Sequence, residues 1–203
     1  MSNKDRIRKI VVTGALAAVT VVLGITGLGF IIIPGGTSLT IMHVPVIIGA
    51  ILEGPVVGMS IGFLFGIFSI IQAGIIGVSA VDLAFVNYPL IAIVPRVCIG
   101  IAAWGIYRLI AGKRQEAGSA KTIPVWREII AIIAGAVVGS LTNTLLVLGS
   151  FGIIKLFPWE LIGISAVANG PLEAAGAAIL TLAIVGAWKG ISTRRGPKLL
   201  AGK

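Results

Sequence analysis

The amino-acid sequence predicts an all-α integral membrane protein, a bundle of six transmembrane helices forming a single domain over residues 1–203. Three observations carry that prediction. Of the 203 residues, 57% are hydrophobic and only 11% charged, against roughly 25% charged in an ordinary soluble domain. The apolar residues fall in long runs, and about 20 of them suffice to cross the hydrocarbon core as a helix. The basic residues behind the formal net charge of +9 flank these runs instead of forming a patch on a soluble domain. That distribution implies a lipid bilayer as partner and argues against nucleic acid.

The first apolar run, about 10–33, is too long for the apolar core of a signal peptide and lacks a clear small-residue cleavage site, so it is expected to be a retained first span. Pro34-Gly35-Gly36-Thr37-Ser38 then reads as a turn or loop. Span 2, about 39–52, is short for a full crossing and carries His43 and Pro45, which suggests a helix that is bent or extended into its loop. Glu53-Gly54-Pro55 makes a tight connection to span 3, about 56–76. Span 4 covers about 87–111, span 5 about 128–151 and span 6 about 162–188.

Cytoplasmic loops of membrane proteins retain lysine and arginine. With six spans both termini share one side, and that side collects Lys4, Arg6, Arg8, Lys9, Arg108, Lys113, Arg114, Lys121, Arg127, Lys189, Arg194, Arg195, Lys198 and Lys203, against Lys155 in the opposite loops. Both termini are therefore expected in the cytoplasm. The loops around 34–38, 77–86 and 152–161 are expected outside.

Span 3 repeats glycine at Gly54, Gly58, Gly62 and Gly66, and span 5 aligns Ala131, Gly135 and Gly139. Small residues at four-residue steps let helix backbones approach in lipid, so these stripes predict internal packing. Gly14, Ala15 and Ala18 make a similar surface near the cytoplasmic end of span 1, where packing against a separate membrane subunit is open.

Arg96 is the anomaly of span 4. A charge inside hydrocarbon costs at least about 2.5–3.5 kcal/mol, so it faces a partner, a bundle interior or a wet cavity. At 1.5 Å rise per residue, Arg96 lies roughly 13 Å below the outer end of its span and Asn143 roughly 12 Å below the end of span 5, with Asn169 and Glu173 roughly 10–16 Å deep in span 6. Asn169 and Glu173 are four apart and so near one face. Arg96 and Glu173 are natural ion-pair partners. Two readings stay open: the pair staples spans 4 and 6, or these groups line an outward-facing cavity that binds a ligand's carboxylate, amide or hydroxyls. His43, Gln72 and Asn87 are further candidates on the outer side.

The chain has no G-x-x-x-x-G-K-[ST] loop to cradle a phosphate, no H-E-x-x-H and no G-x-S-x-G. An enzyme is not expected, no cofactor or metal site is indicated, and the lone Cys98 excludes a disulfide framework.

The stretch Met42-His43-Val44-Pro45-Val46-Ile47-Ile48-Gly49-Ala50-Ile51-Leu52-Glu53-Gly54-Pro55-Val56-Val57-Gly58, with Gly62 and Gly66 beyond it, resembles the core motif of the substrate-binding S components of energy-coupling factor (ECF) vitamin transporters. Pro89, Pro95-Arg96-Val97, Thr142-Asn143-Thr144, Asn169 and Glu173 extend the resemblance over nearly the whole chain. The resemblance implies a plasma-membrane protein that captures a vitamin at its outer face. It also implies a membrane coupling protein and two cytoplasmic ATPases that energise release inward, by toppling of the S component. Gly14 and Ala18 match the family's alanine-x-x-x-alanine contact with the coupling protein, with glycine for the first alanine. The His-Val-Pro start of span 2 with Pro-Arg in span 4 is most similar to the pantothenate branch; folate or a thiamine precursor are the other vitamins considered. Outside this family, a stand-alone proton-coupled carrier or channel using Glu173 and Arg96, or a non-transporting scaffold, would share the same polar layer.

Overall fold

A computed structural model describes residues 3–33, 37–77, 79–112 and 124–190. The expected turn at 34–36 and the basic residues of 113–123 and 191–203 lie outside the described residues. The elements in chain order are α1 (Asn3–Thr26), β1 (Phe30–Ile33), β2 (Thr37–Thr40), α2 (Val44–Glu53), α3 (Pro55–Ile76), α4 (Ala80–Asn87), α5 (Pro89–Ala111), α6 (Val125–Ile153) and α7 (Trp159–Trp188). Five of the helices, α1, α3, α5, α6 and α7, are long and apolar enough to cross a membrane, and α2 is a shorter apolar helix.

Among the described residues the fold is helical apart from one hairpin, which corrects two expected spans. α1 stops at Thr26 rather than continuing to Ile33, and Gly27 follows at φ +73°, a left-handed conformation that suits glycine and ends the helix. Residues 30–33 then pair antiparallel with 37–40 in the register Phe30 to Thr40 and Ile33 to Thr37. α2 begins at Val44 and is only 10 residues long, about 15 Å at 1.5 Å per residue, half of a typical hydrocarbon core. The hairpin precedes it in the chain, so span 2 is a half-helix led by a β-strand.

A second difference concerns 77–86, expected as a loop. Ser79 and Asp82 form a capping box: the Ser79 N–H and Oγ–H donate to Asp82 Oδ2 at 3.0 and 2.6 Å, and the Asp82 N–H donates to Ser79 Oγ at 3.1 Å. Each satisfies the other's orphan groups, which starts α4 three residues beyond α3's left-handed cap at Gly77. Helices α6 and α7 also start three residues earlier than expected, at Val125 and Trp159.

The helical core is centred on α2, whose Val46, Ile47 and Ala50 are wholly enclosed. Its neighbours approach through small residues. A Cβ on Gly62 would overlap the Arg96 carbonyl oxygen, and one on Gly66 would lie 2.8 Å from the Ile93 Cα, so α3 and α5 touch backbone to backbone. Gly135 meets the Ala103 carbonyl and Gly139 meets Ile47, seating α6 on α5 and α2. The α6–α7 seam is tied within the helices and at one end. Thr144 Oγ1 donates to Glu173 Oε2 at 2.8 Å midway along α7, and Lys189 Nζ, just past the end of α7, donates to Glu128 Oε1 near the start of α6. α1 packs chiefly on α3 and α2, burying Ala17, Thr20 and Gly24.

Candidate substrate-binding site

Because α2 fills only half the depth of the bundle, a cavity of about 230 Å³ remains, bounded by Thr40 and Met42 ahead of α2, Phe65, Ser69, Gln72 and Ala73 of α3, Val81, Asp82 and Phe85 of α4, Arg96 of α5 and Asn143 of α6.

Arg96 is placed by its neighbours in sequence. Pro95 has no N–H, so the Ile91 carbonyl, one turn earlier, loses its helical partner. Arg96 Nη1 donates to that oxygen at 3.1 Å. The proline thus creates the acceptor that holds the arginine. The glycine stripe of α3 brings Phe65 over the guanidinium at 5.4 Å, and α4 brings Phe85 over it at 4.8 Å. Ring faces attract a cation, and desolvation strengthens that attraction.

No carboxylate lies within ion-pair distance of Arg96 among the described residues. The expected pairing with Glu173 is not made. Glu173 Oε1 accepts the Thr40 N–H at 2.9 Å, while Oε2 accepts the Thr144 hydroxyl. The reason is one of face: Arg96 points toward α3 and α4, whereas Glu173 points toward the hairpin and α6. Arg96 is 6% exposed and its Nε has no hydrogen-bond partner. A buried charge in that condition is chemically suited to an anion arriving from outside the chain, because the guanidinium fork binds both oxygens of a carboxylate.

The other expected residues divide sharply. Asn143 borders the cavity with its Oδ1 unpartnered, a free acceptor for a ligand hydroxyl or amide. Gln72 also borders it, with Nε2 donating to the Gly24 carbonyl at 3.2 Å. His43 is wholly enclosed just before α2, with neither ring nitrogen hydrogen-bonded and none of its surface on the cavity. Asn169 is half-buried on α7 and outside the cavity, and Asn87 is exposed at the end of α4. Gly14, Ala15 and Ala18 are exposed on α1, and a Cβ on Gly14 would meet nothing within 4 Å. Sequence reasoning missed the hairpin residue Thr40, the two rings on Arg96, and Asp82. The Ser79-x-x-Asp82 capping box was a readable signal for the helix that carries Asp82 and Phe85.

Arg96 and Asn143 thus border a cavity within a bundle of helices long and apolar enough to cross a membrane. The chain belongs to the family of substrate-specific components of ECF transporters, whose model matches residues 8–185. It is a multi-pass plasma membrane transport protein of a non-catalytic family. Among its relatives is the pantothenic acid transporter PanT of Lactococcus lactis subsp. cremoris, 31% identical over 163 residues that cover 72% of this chain and 75% of that protein. The resemblance read from the span 2 and span 4 motifs, including its likeness to the pantothenate branch, is borne out.

Proposed function

We propose that this chain is the pantothenate-binding subunit of an ECF importer. It takes the vitamin into the Arg96 cavity from outside the cell and delivers it inward together with a membrane coupling protein and two cytoplasmic ATPases. In this reading α2 with its hairpin counts as the sixth crossing, and both termini face the cytoplasm. The observation that carries the proposal is the unpaired guanidinium of Arg96 between Phe65 and Phe85. Pantothenate offers one carboxylate for Arg96, and an amide and hydroxyls for Asn143, Gln72 and Ser69. The 31% identity to a pantothenic acid transporter supports the same ligand.

Size favours it over the alternatives. A cavity of about 230 Å³ lies below the roughly 300–1,000 Å³ of pockets for drug-sized ligands, which suits a compact acid better than the three linked parts of folate. A thiamine precursor without a carboxylate would leave Arg96 buried and unpaired, at a cost of several kcal/mol. A carrier that titrates Glu173 against an Arg96 counter-ion lacks the ion pair it requires.

The test is calorimetric titration of the purified protein with pantothenate, folate and hydroxymethylpyrimidine. Nanomolar pantothenate affinity is expected, with Arg96→Ala weakening it by at least about 2 kcal/mol, the scale for unpairing a buried charge. Unchanged affinity in a folded Arg96→Ala protein would remove the basis of the proposal. Tight folate binding would reassign the vitamin.

A further inference from the structure

A second cavity, also about 230 Å³, lies at the other end of the bundle, between the end of α2, the last turns of α5, the start of α6 and the end of α7. Among the residues that border it, Glu53, Tyr107, Arg108, Glu128 and Lys189 carry the polar chemistry, with Trp104 beside them. Both acids are already matched. Glu53, whose side chain is 7% exposed, pairs with Arg8 at 2.6 Å. Glu128 accepts the Tyr107 hydroxyl at 2.8 Å and pairs with Lys189, which also donates to the Tyr107 oxygen and sits 4.6 Å from the centre of its ring.

The Arg108 side chain remains in the wall, with no hydrogen-bond or ion-pair partner among the described residues. Arg127 stands at the rim. Its Nε donates to the Ile110 carbonyl at 2.6 Å, and its Nη2 would lie 3.7 Å from a Cβ on Gly112, another wall residue. Once the acids are counted against Arg8 and Lys189, two guanidinium groups are left over. A cation entering here would have to displace Arg8 or Lys189. An anion would displace nothing.

We propose that this vestibule binds a phosphate group, taken either from the headgroup of an anionic lipid or from a free phosphate, with Arg108 as its principal contact. A planar guanidinium fork matches two phosphate oxygens. Basic pockets between helices at a membrane face take lipid headgroups, and Trp104 and Tyr107 are the aromatic types enriched at that depth. This site is separate from the Arg96 cavity and does not depend on which vitamin binds there.

The full-length protein, stripped of lipid in detergent, is titrated in native mass spectrometry with phosphatidylglycerol and phosphatidylcholine, and its melting temperature is followed against inorganic phosphate. One copy of phosphatidylglycerol retained in preference to phosphatidylcholine, and weakened at least about fivefold by Arg108→Gln, assigns the headgroup. Stabilisation by inorganic phosphate that the same variant abolishes, without a lipid preference, assigns free phosphate. Arg108→Lys should keep part of either effect, and the binding to the unaltered protein should weaken as salt is raised. Equal behaviour of Arg108→Gln and the parent overturns the proposal. So does binding insensitive to salt, or equal retention of both lipids with no response to phosphate.

Discussion

The backbone N–H of Thr40, the last residue of β2, donates to Glu173 Oε1 of α7 at 2.9 Å, across more than half the chain. The other carboxylate oxygen holds Thr144 of α6. Glu173 therefore joins three elements, and through Thr40 it fixes one wall of the Arg96 cavity. Its charge is used within the fold, and it makes no ion pair with Arg96.

That arrangement separates the effects of two substitutions at position 173. Glu173→Ala leaves the Thr40 N–H and the Thr144 hydroxyl without their acceptor, and each buried group so orphaned costs about 1–3 kcal/mol. Glu173→Gln keeps one carbonyl acceptor and should lose less. Thermal unfolding should rank parent, Gln and Ala in falling order, and vitamin affinity should fall in the same order because the Thr40 wall loosens. If Glu173→Gln abolishes binding while leaving the melting temperature unchanged, Glu173 contacts the vitamin directly and the anchoring role fails.

Pro95 offers a test of how Arg96 is aimed. Alanine at 95 restores an N–H that competes with Arg96 Nη1 for the Ile91 carbonyl. The helix should gain stability, since an interior proline costs about 3 kcal/mol or more. The arginine should lose its anchor, weakening vitamin binding by about 0.5–1.5 kcal/mol, the net worth of one hydrogen bond. Titration and thermal unfolding of Pro95→Ala should thus move in opposite directions. Affinity equal to the parent's would show that Pro95 serves the helix alone.

The long spans were legible because hydrocarbon demands long apolar runs, and the layer of Arg96 and Asn143 followed from counting helical rise. Face was harder than depth. Asn169 lies four residues before Glu173, yet only Glu173 is buried, since a four-residue step drifts around the helix and Pro171 intervenes. The hairpin was hidden because Phe30-Ile31-Ile32-Ile33 resumes the apolar run of α1 after only Thr26-Gly27-Leu28-Gly29. Thr26-Gly27 and the β-branched isoleucines were the available signs of a helix end and a strand. Asn87 was expected as a candidate because it is a polar residue on the outer side, but it is the last residue of α4 and is exposed.

The glycine stripe of α3 makes a quantitative contrast. Gly62→Ala drives a methyl into the Arg96 carbonyl, whereas Gly74→Ala meets nothing within 4 Å. Overpacking of this kind costs about 1–3 kcal/mol. The Gly62 variant should therefore melt lower and bind vitamin more weakly, because α5 shifts and carries the guanidinium with it. Gly74→Ala should stay within about 0.5 kcal/mol of the parent, as surface changes do. Equal melting temperatures for the two variants would mean that the α3–α5 contact yields without cost.

Gly14 and Ala18 can be separated from the binding function altogether. Both are exposed on α1, while Ala17 between them faces the bundle and is buried. A leucine at Gly14 enters open space, so vitamin affinity and thermal stability should match the parent within about 0.5 kcal/mol. If this face docks on the coupling protein, the same bulk prevents close backbone approach, and uptake into vesicles bearing the assembled transporter should be lost. Ala17→Leu should do the reverse and lower the stability of the isolated subunit through overpacking, by about 1–3 kcal/mol. Full uptake by Gly14→Leu would place the coupling contact elsewhere on the bundle, and loss of vitamin affinity in that variant would show that α1 communicates with the cavity.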